Sequence, residues 1–173
     1  WIKDQIEEIS SSFHQVYVLS RYKPIAEISN LLPIDALKTH RKSYSFDLNE
    51  VPPNVHVYTV PLYYIPTDYF YRKLGDQHYK KSLGIIELEN ISFDIIHAHF
   101  SWTAGYVGAR LKQIFNVPLI ITAHGYDAYS LPFKDDQWNN TISSTLNEAD
   151  HIITPSDYNK KCLRKLNLST QIT

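Results

Sequence analysis

The chain of 173 residues holds no methionine, one cysteine and five glycines. Each scarcity excludes something. Cys162 has no second cysteine to bond with, so the fold rests on packing, and a reducing compartment such as the cytoplasm is expected. None of the five glycines falls into a GxGxxG or GxxxxGK pattern, so neither type of phosphate-cradling loop is encoded here. Without methionine, the sequence reads as one that starts inside a longer chain. No apolar run approaches the ~20 residues of a membrane span. Seventeen basic residues stand against eighteen acidic ones, which leaves no basic field. A nucleic-acid partner is therefore not expected.

What remains is an ordinary globular composition with enough apolar residues for one full core, read as a single domain over residues 1–173. The order of its elements sets the class. Ile95 to Phe100 and Val117 to Ala123 are short apolar runs without strict alternation, as in strands covered on both faces. Between them Ala104, Val107, Gly108, Leu111, Ile114 and Phe115 form one apolar helix face, and Asn116 ahead of Pro118 stops it. Strand, helix, strand is a βαβ crossover, right-handed by strong preference.

Upstream, Ile2, Ile6, Ile9 and Phe13 mark an amphipathic helix, and residues 15–20 read as a strand. A helix that feeds a parallel strand implies a further strand before Trp1. Ile25 to Leu37 could hold a short helix. Residues 55–60 alternate and end at Pro61, so they read as a strand. Thr67-Asp68 resembles the cap of a helix that runs to about Glu89. The tyrosines around it (Tyr63, Tyr64, Tyr69, Tyr71 and Tyr79) are open to two readings, a helix wall packed on the sheet or rings that stack on sugar faces. Downstream, Asp135-Asp136 caps a helix with Ile142, Thr145, Leu146 and Ala149 inside. Residues 150–155 form a strand, and Ser156-Asp157 opens a helix that buries Cys162. The alternation predicts an α/β fold, a doubly wound, mainly parallel sheet with helices on both faces.

In such sheets ligands sit outside the carboxyl ends of the strands. His99 falls at one strand end, and His124, Gly125 and Asp127 at the next. Imidazole titrates near neutral pH and both donates and accepts hydrogen bonds, so His124 is the first candidate for chemistry. Gly125 leaves room for a close approach or a positive φ. Asp127 is placed to orient His124 or to bind a hydroxyl. A histidine that merely satisfies its own turn is the alternative. His97 and His99 share one face of their strand. With His124 and Asp127 they are metal-ligand types, although a core histidine bonded to a neighbouring loop accounts for His97 equally simply. Ser156 either caps its helix or helps bind an anion at the free N–H groups there.

Residues 94–100, 118–127 and 149–156 together resemble the N-terminal half of family 4 glycosyltransferases, and the opening helix and strand resemble that family's first helix and second strand. The resemblance implies one Rossmann-like half of a GT-B architecture. It implies a retaining transfer of sugar from a nucleotide-sugar donor to a carbohydrate or lipid acceptor, with no cofactor and no metal. His124 matches the family's catalytic histidine. Asp127 matches a substrate contact, and His99, Gly125, Tyr126 and Ser156 are expected at the same rim. It also implies a partner, the enzyme's own C-terminal domain. Work on cell-surface polysaccharide or glycolipid would bring peripheral contact with the inner membrane face. The family's first strand with its glycine-rich loop has no counterpart ahead of Trp1, and the sequence stops where a linker would begin. An excised acceptor domain, inactive alone, is expected. A nucleotide-sugar epimerase domain, a non-enzymatic carbohydrate-binding module and, more remotely, a metal-dependent hydrolase remain the alternatives.

Overall fold

The computed structural model describes residues 2–22, 51–65 and 67–173. The helix expected within Ile25–Leu37 lies outside them. Two compact units divide the chain, Trp1–Ile65 and Pro66–Thr173.

In the first unit, helix α1 (Ile2–Ser10) precedes strands β1 (Val16–Tyr22) and β2 (Val55–Pro61). These two pair in parallel, with Val16 opposite Val55. Ile6 is buried, but Phe13 is not on the helix: α1 ends at Ser10 and the Phe13 ring is exposed. Asn54 ties the end of α1 to the start of β2, donating to the carbonyls of Ser10 (2.8 Å) and Phe13 (2.9 Å).

The second unit is built on a parallel sheet of three strands, β3 (Ile96–His99), β4 (Leu119–Thr122) and β5 (His151–Ile153), in that order. Ile96 lies opposite Leu119 and His99 opposite Thr122, while Thr122 in turn lies opposite Ile153. Helices α2 (Asp68–Leu88), α3 (Tyr106–Phe115), α5 (Asp136–Asn147) and α6 (Asp157–Leu163) are interleaved with the strands, and a single turn of helix, α4 (Tyr126–Tyr129), follows β4. Leu119, Ile121, Trp138, Ile142, Leu146, Ile152 and Leu163 are fully buried and form the core between sheet and helices. Gly108 lets α3 lie against β4, because a Cβ there would come within 2.7 Å of Leu119. The expected βαβαβ order is therefore present, and the fold is mixed α/β with parallel strands.

Element ends follow local chemistry. Asn116 takes a left-handed conformation (φ 53°) and terminates α3. Asp135 caps α5 by accepting the Trp138 N–H (2.8 Å). Tyr71 packs edge-on to Trp102 and against Trp138, so this tyrosine belongs to the helix wall. Tyr69 is exposed.

Two expectations at the first crossover need correction. The strand ends at His99, and Phe100 is not part of it: its backbone turns to φ 75°, ψ 139°. Residues Ser101–Gly105 lead into α3 through a wide turn in which Trp102 departs from helical dihedrals, and Ala104 packs against the core as expected. Ile114, expected on the inner face, points outward.

Candidate functional site

The carboxyl ends of β3 and β4 carry the candidate residues, and they meet. His99 Nδ1 and His124 Nε2 lie 3.1 Å apart, so one ring donates and the other accepts. The two rings lie edge to edge and nearly coplanar, with centroids 5.4 Å apart and planes 14° from parallel. The Phe100 ring lies 4.9 Å from that of His124, tilted by 51°. His97 follows one step down the strand, its ring 4.5 Å from that of His99. Its Nε2 pairs with Thr122 Oγ1 at 2.8 Å. His97 is thus satisfied by the neighbouring strand, where a loop partner was expected.

The rim is dry enough to change its acid–base character. Burial, reinforced by neighbouring histidines, lowers His99 to about 4, and burial with His97 nearby does the same for His124. An imidazole titrating near neutrality was expected at position 124. Both rings are instead uncharged at neutral pH, and so work as hydrogen-bonding groups rather than as cations.

Gly125 follows with φ 52° and ψ −125°, a conformation that only glycine adopts without strain. This bend turns the chain so that Tyr126 stands half exposed at the rim while Asp127 points inward. Asp127 is 4% exposed. Its Oδ2 accepts the Ser101 N–H (2.5 Å) and the Ser101 hydroxyl (2.9 Å). Oδ1 is buried without a hydrogen-bond partner. Burial pushes this carboxyl up to about 6, against the pull of Ser101 and of nearby backbone N–H groups, His124's among them. A direct substrate contact by Asp127 would have to use Oδ1.

Ser156 stands at the third strand end, apart from this cluster of contacts. Its hydroxyl accepts the Asn159 N–H (3.2 Å) and caps α6. Tyr129 and Tyr158 are exposed and lie 5.8 Å apart, so aromatic faces are available on α4 and α6. Among the described residues no group of three or more His, Cys, Asp or Glu side chains is arranged to hold a metal ion. Sequence reasoning missed Ser101, Phe100 and Thr122. A serine directly after a strand end was visible, but nothing local tied it to a carboxylate 26 positions away.

A parallel sheet flanked by helices, with its polar groups gathered beyond the strand ends, defines a Rossmann-like α/β domain. The chain belongs to glycosyltransferase family 4, whose family model matches residues 3–173. It is similar to an uncharacterized glycosyltransferase of Methanocaldococcus jannaschii, 47% identical over 53 residues, which is 31% of this chain and 14% of that protein. It is also similar to the D-inositol 3-phosphate glycosyltransferase of Corynebacterium glutamicum, 37% identical over 54 residues, 31% of this chain and 13% of that one. The matched segments span about a seventh of each relative's length.

Proposed function

We propose that this chain is the acceptor-side half of a retaining sugar transferase. The enzyme would move a sugar from a nucleotide-sugar donor to a carbohydrate or lipid acceptor, with its own C-terminal domain holding the nucleotide. His124 is the residue nearest the reacting centre. The observation that carries this reading is the uncharged His99–His124 pair, held at 3.1 Å beyond the strand ends and beside the bend at Gly125. A neutral imidazole can hydrogen-bond a sugar hydroxyl, or an oxygen gaining charge as the donor breaks, without imposing a fixed charge on the ground state. The contact couples the tautomers of the two rings, since one of the facing nitrogens must carry a proton and the other must not. Gly125 and Tyr126 line the approach, with Ser156 at the neighbouring strand end.

The transfer needs no metal ion and proceeds in the cytoplasm, for cell-surface polysaccharide or glycolipid. Contact with the inner membrane face would be peripheral: no helix among the described residues is long and apolar enough to cross a membrane. Residues 1–173 alone have no transferase activity and bind nucleotide-sugar poorly.

The test uses the full-length protein with a panel of nucleotide-sugars and glycosyl or lipid-linked acceptors. Release of nucleoside diphosphate that depends on acceptor, and a product keeping the donor's anomeric configuration, are expected. Hydrolysis or epimerisation of the donor without acceptor-dependent transfer would overturn the reading, and an inverted product would overturn retention. Turnover by residues 1–173 alone would overturn the assignment of this part as inactive.

A further inference from the structure

Asp127 lies beside the candidate rim without facing it. The bend at Gly125 carries it inward, where its carboxylate collects hydrogen bonds from the segment that leaves β3. Ser101 gives it both a backbone N–H and a hydroxyl, and Ser101 is itself wholly buried. The Ser101 hydroxyl lies 3.1 Å from the Asp127 carbonyl as well. Ser101 immediately follows Phe100, whose backbone (φ 75°, ψ 139°) is one an L side chain rarely adopts. Such a conformation persists only where the surroundings hold it. At this turn the Phe100 N–H donates to Thr122 and the Phe100 carbonyl accepts from Gly105, but both contacts precede or follow the Ser101 N–H. That N–H is met by Asp127.

The two segments joined in this way each carry one ring of the pair, His99 before Phe100 and His124 before Gly125. We propose that Asp127 is a positioning residue: its carboxylate pins the strained elbow after β3 to the turn after β4, and so holds His99 and His124 in hydrogen-bond register. The residue acts through Ser101 and the two imidazoles and does not touch the substrate. Only the kinetic arm of its test rests on the transferase reading.

The direct readout is the hydrogen bond itself. In full-length protein with ¹⁵N-labelled histidine, the wild type shows scalar coupling between His99 Nδ1 and His124 Nε2. Asp127→Ala abolishes this coupling. Asp127→Asn retains it, because the amide oxygen still accepts the Ser101 N–H. Ser101→Ala removes only the hydroxyl contact and weakens the coupling.

The kinetics are expected to follow the coupling. Asp127→Ala lowers kcat about 100-fold, the scale for a group displaced from its working position, with KM within about threefold. Asp127→Asn stays within about fivefold of wild type in kcat.

Coupling that persists unchanged in both Asp127→Ala and Ser101→Ala overturns the proposal. So does a raised KM with unchanged kcat in Asp127→Ala, which is the mark of a substrate contact. Should Asp127→Ala fail to fold, Ser101→Ala decides, and an unaltered coupling there sinks the idea. If the coupling responds as expected but the wild type transfers no sugar, the positioning role stands and the transferase reading falls.

Discussion

The two edges of the three-stranded sheet each carry a carboxylate that accepts a backbone N–H, and the resemblance ends there. At the amino edge, Asp150 Oδ2 accepts the Leu119 N–H (2.7 Å) and pairs with Lys112 (2.7 Å), which also reaches the Glu148 carbonyl. The Asp150 side chain is half exposed, and Lys112 with the Leu119 N–H holds its carboxyl below the usual range. At the carboxyl edge, Asp127 is buried, has no cation among its hydrogen-bond partners, and is pushed up to about 6. One carboxylate staples α3 and β5 to the start of β4 at little electrostatic cost. The other is kept in an environment that disfavours its charge. A costly arrangement of this kind makes the carboxyl edge the candidate for function.

The contrast breaks first at His124. In the full-length enzyme, His124→Ala is expected to lower kcat about 100- to 1,000-fold, as for loss of one preorganised hydrogen-bonding group. The urea midpoint is expected to fall as well, by about 1–3 kcal/mol of stability, because a buried ring and its hydrogen bond to His99 are lost. Residual activity close to wild type would remove the carboxyl edge from the chemistry.

Asp150→Ala is the reciprocal case. It leaves the Leu119 N–H without its acceptor and is expected to cost about 1–2 kcal/mol of stability, read as a lower urea midpoint, with kcat and KM unchanged. A large fall in kcat would show that the amino edge is not merely structural.

Acid sharpens the comparison further. His99 and His124 stay neutral down to about 4 in the fold, so the stability they contribute is whole above pH 6.5 and is lost as pH falls toward 4. Asp127 has the opposite sign: its raised value means that stability is greatest below pH 3.8 and is lost as pH rises through about 6. Two imidazoles outweigh one carboxyl, and the protein loses stability on acidification across this window. Asp127→Asn removes the opposing contribution and should steepen that loss. Asp150, whose value is lowered from 3.8, acts below the window, so Asp150→Ala should run parallel to wild type. Urea midpoints between pH 6.5 and 4 test all three slopes.

The smallest effect is expected at Ser156→Ala, about 1 kcal/mol from loss of the α6 cap with kcat unchanged. A kcat change there would extend the working rim to the third strand.

Much of this arrangement was legible beforehand. Strand and helix order in residues 94–166 followed from local periodicity, and the caps at Asp135 and Ser156 from residue type. The placing of His99 and His124 at strand ends followed from the sheet class. The elbow was not legible. A phenylalanine in an apolar run reads as strand, and nothing nearby announces a positive φ at Phe100. The partners of Asp127 and His97 lie 26 and 25 residues away, so only the folded sheet reveals them. The same holds for the protonation states. The sequence names an imidazole, but its burial decides whether that imidazole is charged.

Phe100 carries a last implication. Glycine would occupy its backbone conformation without the roughly 1–3 kcal/mol that a residue with a side chain gives up there. The phenyl group nevertheless shields one side of the neighbouring imidazole from water. Replacement by leucine would keep the contorted main chain and lose the aromatic cover, whereas glycine would relieve the strain and lose the cover as well. The contorted main chain and the dry imidazole thus meet in one residue, and a change of side chain at position 100 acts on the surroundings of His124 as well as on the elbow.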